Sequence, residues 1–169
     1  MKLCSAILCA FVAISAPAVA GQTAAAKPAA KPAAQKAAPA AAGAPRTIEL
    51  TASEDMKYSK TTLTAKPGEK LRIVLKALGS MPKIAMGHNF VLLKPGASAL
   101  EVNNAAFNAR ATDFIPESQK DKILAHTPVA GGGETVEVTF TAPKAGTYNF
   151  LCTFPGHFVA GMKGTLVVK

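Results

Sequence analysis

The stretch Thr147–Lys169, TYNFLCTFPGHFVAGMKGTLVVK, carries two alternating runs, TYNFLCTF and GTLVVK, joined by a loop with Pro155, Gly156 and Gly161. Tyr148, Phe150 and Cys152 fall on one face of an extended strand, so the cysteine is aimed like the aromatic core residues. The loop then places His157 and Met162 after Cys152, each separated from the last by four residues. Pro and Gly at these points permit the tight turns that would fold the loop back on itself.

Working outward, similar short runs rich in Thr, Val, Ile, Leu and Phe recur between turn residues: TIELTA, TTLTA, KLRIVLKAL, HNFVLL and ETVEVTFTA. In KLRIVLKA, Leu71, Ile73 and Leu75 share a face, as do Val136, Val138 and Phe140 in TVEVTFTA. Seven such strands separated by KPGE, KPGA, GGGE and PKAGT predict an all-β, antiparallel sandwich. The segment from Ala99 to Phe114 departs from this pattern. Leu100, Phe107 and Phe114 recur there at spacings of seven, which predicts one short amphipathic helical insertion packed on the sandwich.

The N-terminal part has a different composition. Residues 1–20, MKLCSAILCAFVAISAPAVA, combine Lys2, an apolar run and small residues at Ala18 and Ala20, the pattern of a secretory signal cleaved after Ala20. Leu3 to Val19 is interrupted by Ser15 and Pro17 and is shorter than the ~20 apolar residues of a membrane span. Cys9 lacks the preceding small residue of a lipoprotein site. Residues 21–46 are Ala, Pro and Lys, with Pro28, Pro32, Pro39 and Pro45 too frequent for a helix to propagate. This is a semi-rigid tether with a reach on the order of 80 Å. Residues 47–169 then form one domain, periplasmic if the signal acts, and membrane-associated only if the N-terminal segment is retained.

Charge narrows the function classes. The domain has fourteen Lys and Arg against ten Asp and Glu, scattered singly. That is mildly basic, without the basic stripe that nucleic-acid binding requires.

Cysteine use is more informative. Once the signal is removed, Cys152 is the sole thiol, and an exported free thiol is open to oxidation unless burial or a metal protects it. Thiolate, imidazole and thioether are a soft set suited to copper in either oxidation state, and a type 1 copper site has a second imidazole in addition. Two other histidines are available. His88, in AMGHNFVLL, follows a glycine and opens an apolar strand; His126, in ILAHTPV, sits at the foot of a loop and is expected to face solvent.

MGHNFVLL and CTFPGHFVAGMKGTLVVK resemble the two copper-binding segments of the azurin and plastocyanin family of cupredoxins, with GSMPKIAMGHNFVL and KDKILAHTPVAGGGETVEVTFTA azurin-like in order and spacing. The resemblance covers nearly all of residues 47–169. It implies an eight-stranded Greek-key sandwich with one copper ion held by His88, Cys152, His157 and Met162, and the Gly87 carbonyl as a weak fifth contact. The N–H groups of Asn89 and Phe154 would donate to the Cys152 sulfur. The chain departs from azurins in having four residues, FVAG, between His157 and Met162, and in lacking an N-terminal disulfide. That spacing resembles auracyanin-like, plastocyanin-like and rusticyanin-like proteins, and with the missing disulfide and the Ala/Pro tether it points to an auracyanin-like or azurin-like relative, not an azurin proper.

The expected function is a monomeric electron carrier, not an enzyme, cycling between Cu(I) and Cu(II). Transient redox partners would dock on an apolar patch around a surface edge of His157, formed by Met86, Pro155, Phe158, Val159 and Ala160. Copper storage or delivery is the alternative, although the chain has no Met-rich or His-rich run. A copper enzyme module would need further histidines for a second site, and only His126 is left over.

Overall fold

The computed structural model describes residues 43–169. The signal segment 1–20 and nearly all of the 21–46 tether lie outside the described residues. Two sheets face each other. The first has the order β2-β1-β4-β7, from β1 (Arg46–Ser53), β2 (Lys57–Tyr58), β4 (Lys70–Ala77) and β7 (Thr135–Thr141). The second runs β3-β9-β8-β5-β6, from β3 (Thr62–Ala65), β5 (Val91–Leu93), β6 (Ile123–His126), β8 (Gly146–Leu151) and β9 (Lys163–Val168). Between β2 and β4 the chain passes to the second sheet and returns, so neighbours in sequence lie on opposite layers. This is the crossed connectivity of a Greek-key sandwich.

Pairing is mixed. β1 runs parallel to β4 and β3 parallel to β9, while the other ladders are antiparallel. The expected all-antiparallel arrangement is corrected here. Local alternation dictates which side chains face inward but not the direction of a neighbouring strand. Nine strands are present among the described residues, against the eight expected; β2 is only two residues long, and β6, in the ILAH segment, was not among the strands expected from the sequence. Arg46, assigned to the tether by composition, opens β1 opposite Leu71.

The alternation in KLRIVLKA is borne out: Leu71, Ile73 and Leu75 are fully buried against Phe90, Leu92, Tyr148, Phe150 and Leu166 of the second sheet. Each such side chain contributes about 1.5–3 kcal/mol by leaving water. Val136, Val138 and Phe140 are only half-buried because β7 is the edge strand.

β5 needs cover on both faces, since Leu92 points into this core and Val91 and Leu93 point away from it. The helix α1 (Ala99–Ala106), capped by Ser98, supplies that cover. Its Val102 joins Val91, Leu93, Ile115, Ile123 and Leu151 in a second apolar cluster. The expected helix was longer and turned differently. It stops at Ala106, short 3-10 turns follow, and Leu100 and Phe107 are 55% and 49% exposed. Val102 and Ala106, four apart, form the packed stripe instead, in keeping with the 3.6-residue helical period.

Candidate metal centre

Three connections meet at one end of the sandwich. His88 precedes β5 and is held by a two-bond bridge to Ala130, its N–H donating at 2.9 Å and its carbonyl accepting at 2.8 Å. Cys152 lies one residue past β8, and His157 lies in the loop that leads to β9. The loop closes on its own main chain: the Cys152 N–H donates to the Met162 carbonyl at 3.1 Å and the Met162 N–H to the His157 carbonyl at 2.9 Å. Gly156 and Gly161 both take positive φ, 86° and 97°, which a side chain would strain.

The ligating atoms of His88, Cys152 and His157 all lie within 4.8 Å of one another, and the three residues are 1%, 0% and 2% exposed. His157 Nδ1 is 3.5 Å from the Cys152 sulfur, and the two imidazoles are 4.9 Å apart between centroids. Met162 is fully buried in the cluster that contains Cys152. Gly87 is hemmed in. A Cβ there would stand 2.5 Å from Val129 Cγ1 and 2.8 Å from both the Lys83 carbonyl and Phe154 Cδ2.

His126 is exposed and apart from this cluster, as expected.

Burial governs the titration of His88, Cys152 and His157. Burial, and then the nearby His88, push His157 down to about 4. Burial also lowers His88, against a weaker pull from Glu54. Both rings are therefore neutral at pH 7, the form that ligates. Burial drives the Cys152 thiol up to about 12, opposed by the Asn89 and Phe154 backbone N–H groups that bond its sulfur. A metal ion reverses that preference by deprotonating the thiol it binds.

Neither ring nitrogen of His88 has a hydrogen-bond partner, although both are buried. Such an orphaned group costs about 1–3 kcal/mol unless something takes its lone pair or proton. Two neutral imidazoles and a thiol around one point fit a copper ion.

A surrounding hydrogen-bond frame was not apparent from the sequence. The Asn89 side chain donates to Thr153 Oγ1 at 2.8 Å and accepts from the Thr153 N–H at 2.9 Å, tying the residue after His88 to the residue after Cys152. The Tyr58 hydroxyl donates to the Asn89 carbonyl from beneath. Asn89 was singled out only through its backbone; no local motif marks Thr153 or Tyr58, because their partners are remote in the chain.

His157 is more enclosed than expected. The rings of Phe154, at 4.8 Å, and His88 flank it, leaving little edge at the surface. Around it Val159 and Ala160 are exposed while Met86 and Pro155 are half-buried. Phe158 packs against the second apolar cluster, with Lys163 Nζ 4.7 Å from its ring centroid.

Comparison with known proteins agrees with this geometry. The family model for copper binding proteins of the plastocyanin/azurin family matches residues 47–169. Auracyanin-A of Chloroflexus aurantiacus is 42% identical over 128 residues, covering 74% of this chain and 75% of the relative. Azurin of Achromobacter denitrificans is 39% identical over 124 residues, 71% and 80% of the two chains. Among solved structures, auracyanin A of Chloroflexus aurantiacus, described as a "blue" copper protein, superposes with a TM-score of 0.67 at 41% identity over 75% of this chain and all of that one. Reduced auracyanin from Roseiflexus castenholzii gives 0.66 at 37% identity over 75% and 99%.

Proposed function

Since this chain belongs to the plastocyanin/azurin family of copper-binding proteins, we propose that it is a type 1 copper electron carrier that passes single electrons between redox partners in the periplasm. The observation that carries this reading is the buried His88, Cys152 and His157 cluster, with all three ligating atoms within 4.8 Å. Copper bound there supplies one-electron chemistry between Cu(I) and Cu(II).

The protein's own part is positional. His88 and His157 offer neutral nitrogens and Cys152 a sulfur, with Met162 proposed as a thioether ligand and the Gly87 carbonyl as a weak contact. The N–H groups of Asn89 and Phe154 stabilise negative charge on the Cys152 sulfur, and such contacts tune a metal site. The Asn89–Thr153 pair holds the two ligand-bearing segments in one arrangement, which suits a site that must change charge with little movement. Near-complete burial excludes water and substrate from the cluster, so the reading is an electron carrier and not an enzyme.

The periplasmic location rests on residues 1–20; Cys152, the one cysteine among the described residues, is buried and so shielded from oxidation there. Edman sequencing of the exported protein should begin at Gly21; a chain still starting at Met1 would mean a retained anchor.

The decisive experiment adds Cu(II) to the purified protein and to Cys152→Ser, with visible absorption and electron paramagnetic resonance. An intense thiolate-to-copper band with narrow hyperfine splitting, lost in the variant, is expected. A colourless or ordinary Cu(II) spectrum would overturn the assignment in favour of copper storage or delivery.

A further inference from the structure

Beside the metal centre lies a hollow of about 240 Å³. Its deepest lining residues are the buried Val129 and Phe154, with Ile84 and Phe114 as apolar walls and Lys83, Arg110 and Asp113 at the rim. Ile84 is 70% exposed, so its side chain is open to a partner at the mouth of the hollow.

Val129 and Phe154 connect the hollow to the ligands. Both press on Gly87, leaving no room for a Cβ beside His88. The Phe154 ring is 4.8 Å from that of His157, and the Phe154 N–H bonds the Cys152 sulfur. Phe154 therefore links the hollow to His157 through its ring and to Cys152 through its backbone. By contrast, His157 itself is nearly closed off from solvent.

The wall at Phe114 is built at a cost. Asp113 and Phe114 adopt consecutive left-handed conformations, φ 53° and 59°, which non-glycine residues rarely take. Asn89 Nδ2 donates to the Asp113 carbonyl at 3.2 Å and the Phe114 N–H to the Ala109 carbonyl at 2.8 Å, holding the Phe114 ring edge-on to Phe154 at 5.0 Å. Strain of this kind is characteristic of functional sites.

Charge selects the occupant. Among the described residues Arg110 has no ion-pair partner, and Lys83 shares an exposed contact of 3.2 Å with Glu134. Arg110 is thus the unpaired cation of the lining, beside Lys83, which shares its charge with Glu134, and Asp113 is the lining's one carboxylate.

We propose that this hollow is the docking site of an acidic redox protein, which places an apolar side chain between Ile84 and Phe114, sets its carboxylates against Arg110 and Lys83, and exchanges its electron across Phe154. This rests on the copper assignment above and adds the place and chemistry of the partner. Complementary charge of this kind raises the rate of encounter and orients it.

The test uses two charge-reversal variants with the same change in net charge: Lys83→Glu with Arg110→Glu at the hollow, and Lys66→Glu with Lys169→Glu beside the distant Arg46–Glu69 pair. The redox-inert anion hexacyanocobaltate(III) is titrated into metal-free protein while the Ile84 and Val129 methyl resonances are followed. These shifts should saturate in wild type and in the distant variant and vanish in the hollow variant. Shifts that persist in the hollow variant, or that are lost in the distant variant, overturn the proposal.

In the copper-loaded protein, hexacyanoferrate(II) gives one electron to Cu(II) and becomes hexacyanoferrate(III). Reversal at the hollow should slow this on the order of tenfold at low salt, and the distant pair should act much less. Equal slowing by both variants, or slowing by Val159→Glu but not by the hollow variant, also overturns it. Because the titration needs no copper, failure of the copper assignment is distinguished from failure of the docking site.

Discussion

β4 and the ligand-bearing loops are buried equally well and for opposite reasons. Leu71, Ile73 and Leu75 have no polar atoms to satisfy, and the opposing sheet completes them. His88 is as deeply enclosed, yet its two ring nitrogens have no protein partner, and the thiol beside it is held far from its reactive form. One region is finished by folding and the other by a ligand, so the two should respond differently to mutation and to metal.

Removing the ligand side of the contrast gives the largest expected effect. Copper at a thousandfold excess over its dissociation constant stabilises by about 4 kcal/mol, so melting curves of copper-loaded and metal-free wild type should separate widely. Cys152→Ser should abolish most of that separation. Equal melting temperatures for loaded and metal-free wild type would break the comparison.

Ile73→Ala should cost about 2–5 kcal/mol in denaturant titration while leaving the visible band of the copper protein in place. A changed band would show that core and site are not separable. Gly87→Ala lies on the boundary between the two regions. Its Cβ would overlap Val129 Cγ1 and Phe154, so a loss of about 1–3 kcal/mol is expected, together with a shifted band because the displaced residues flank His88 and His157.

Tyr58→Phe removes one buried hydrogen bond to the Asn89 carbonyl, worth about 1 kcal/mol. If Tyr58 supports the site through Asn89, the reduction potential should move as well as the stability. An unchanged potential would confine it to packing.

The smallest effect lies at the distant pole. There the Arg46 guanidinium and the Lys66 N–H hold Glu69 down to about 2. Its contribution is complete above the ordinary carboxylate range and fades as pH falls from about 4.5 towards 2. Because Arg46 is well exposed, it is worth less than about 1 kcal/mol. Glu69→Gln should flatten that part of the stability–pH profile without touching the copper spectrum.

Legibility in the sequence followed the same division. Period-two alternation exposed Leu71, Ile73 and Leu75 because side chains in a strand obey a local rule. Cys152 and His157 were legible because they share a short loop, and His88 because the alternatives were few. What escaped depended on distant chain. The parallel partners of β1 and β3 leave no mark on either strand, and the packed face of α1 was set by Val91 and Leu93 on the outer face of β5 rather than by the heptad of Leu100 and Phe107. Tyr58 is thirty-one residues from the carbonyl it serves. The enclosure of His157 likewise depends on His88 arriving beside it.

The tie between Asn89 and Thr153 joins points sixty-four residues apart. Cys152, His157 and Met162 are made together as one short piece, but His88 reaches them only when β5 has paired with β8. The proposed four-residue set is thus complete only in the folded chain, and the C-terminal loop alone carries three of its members.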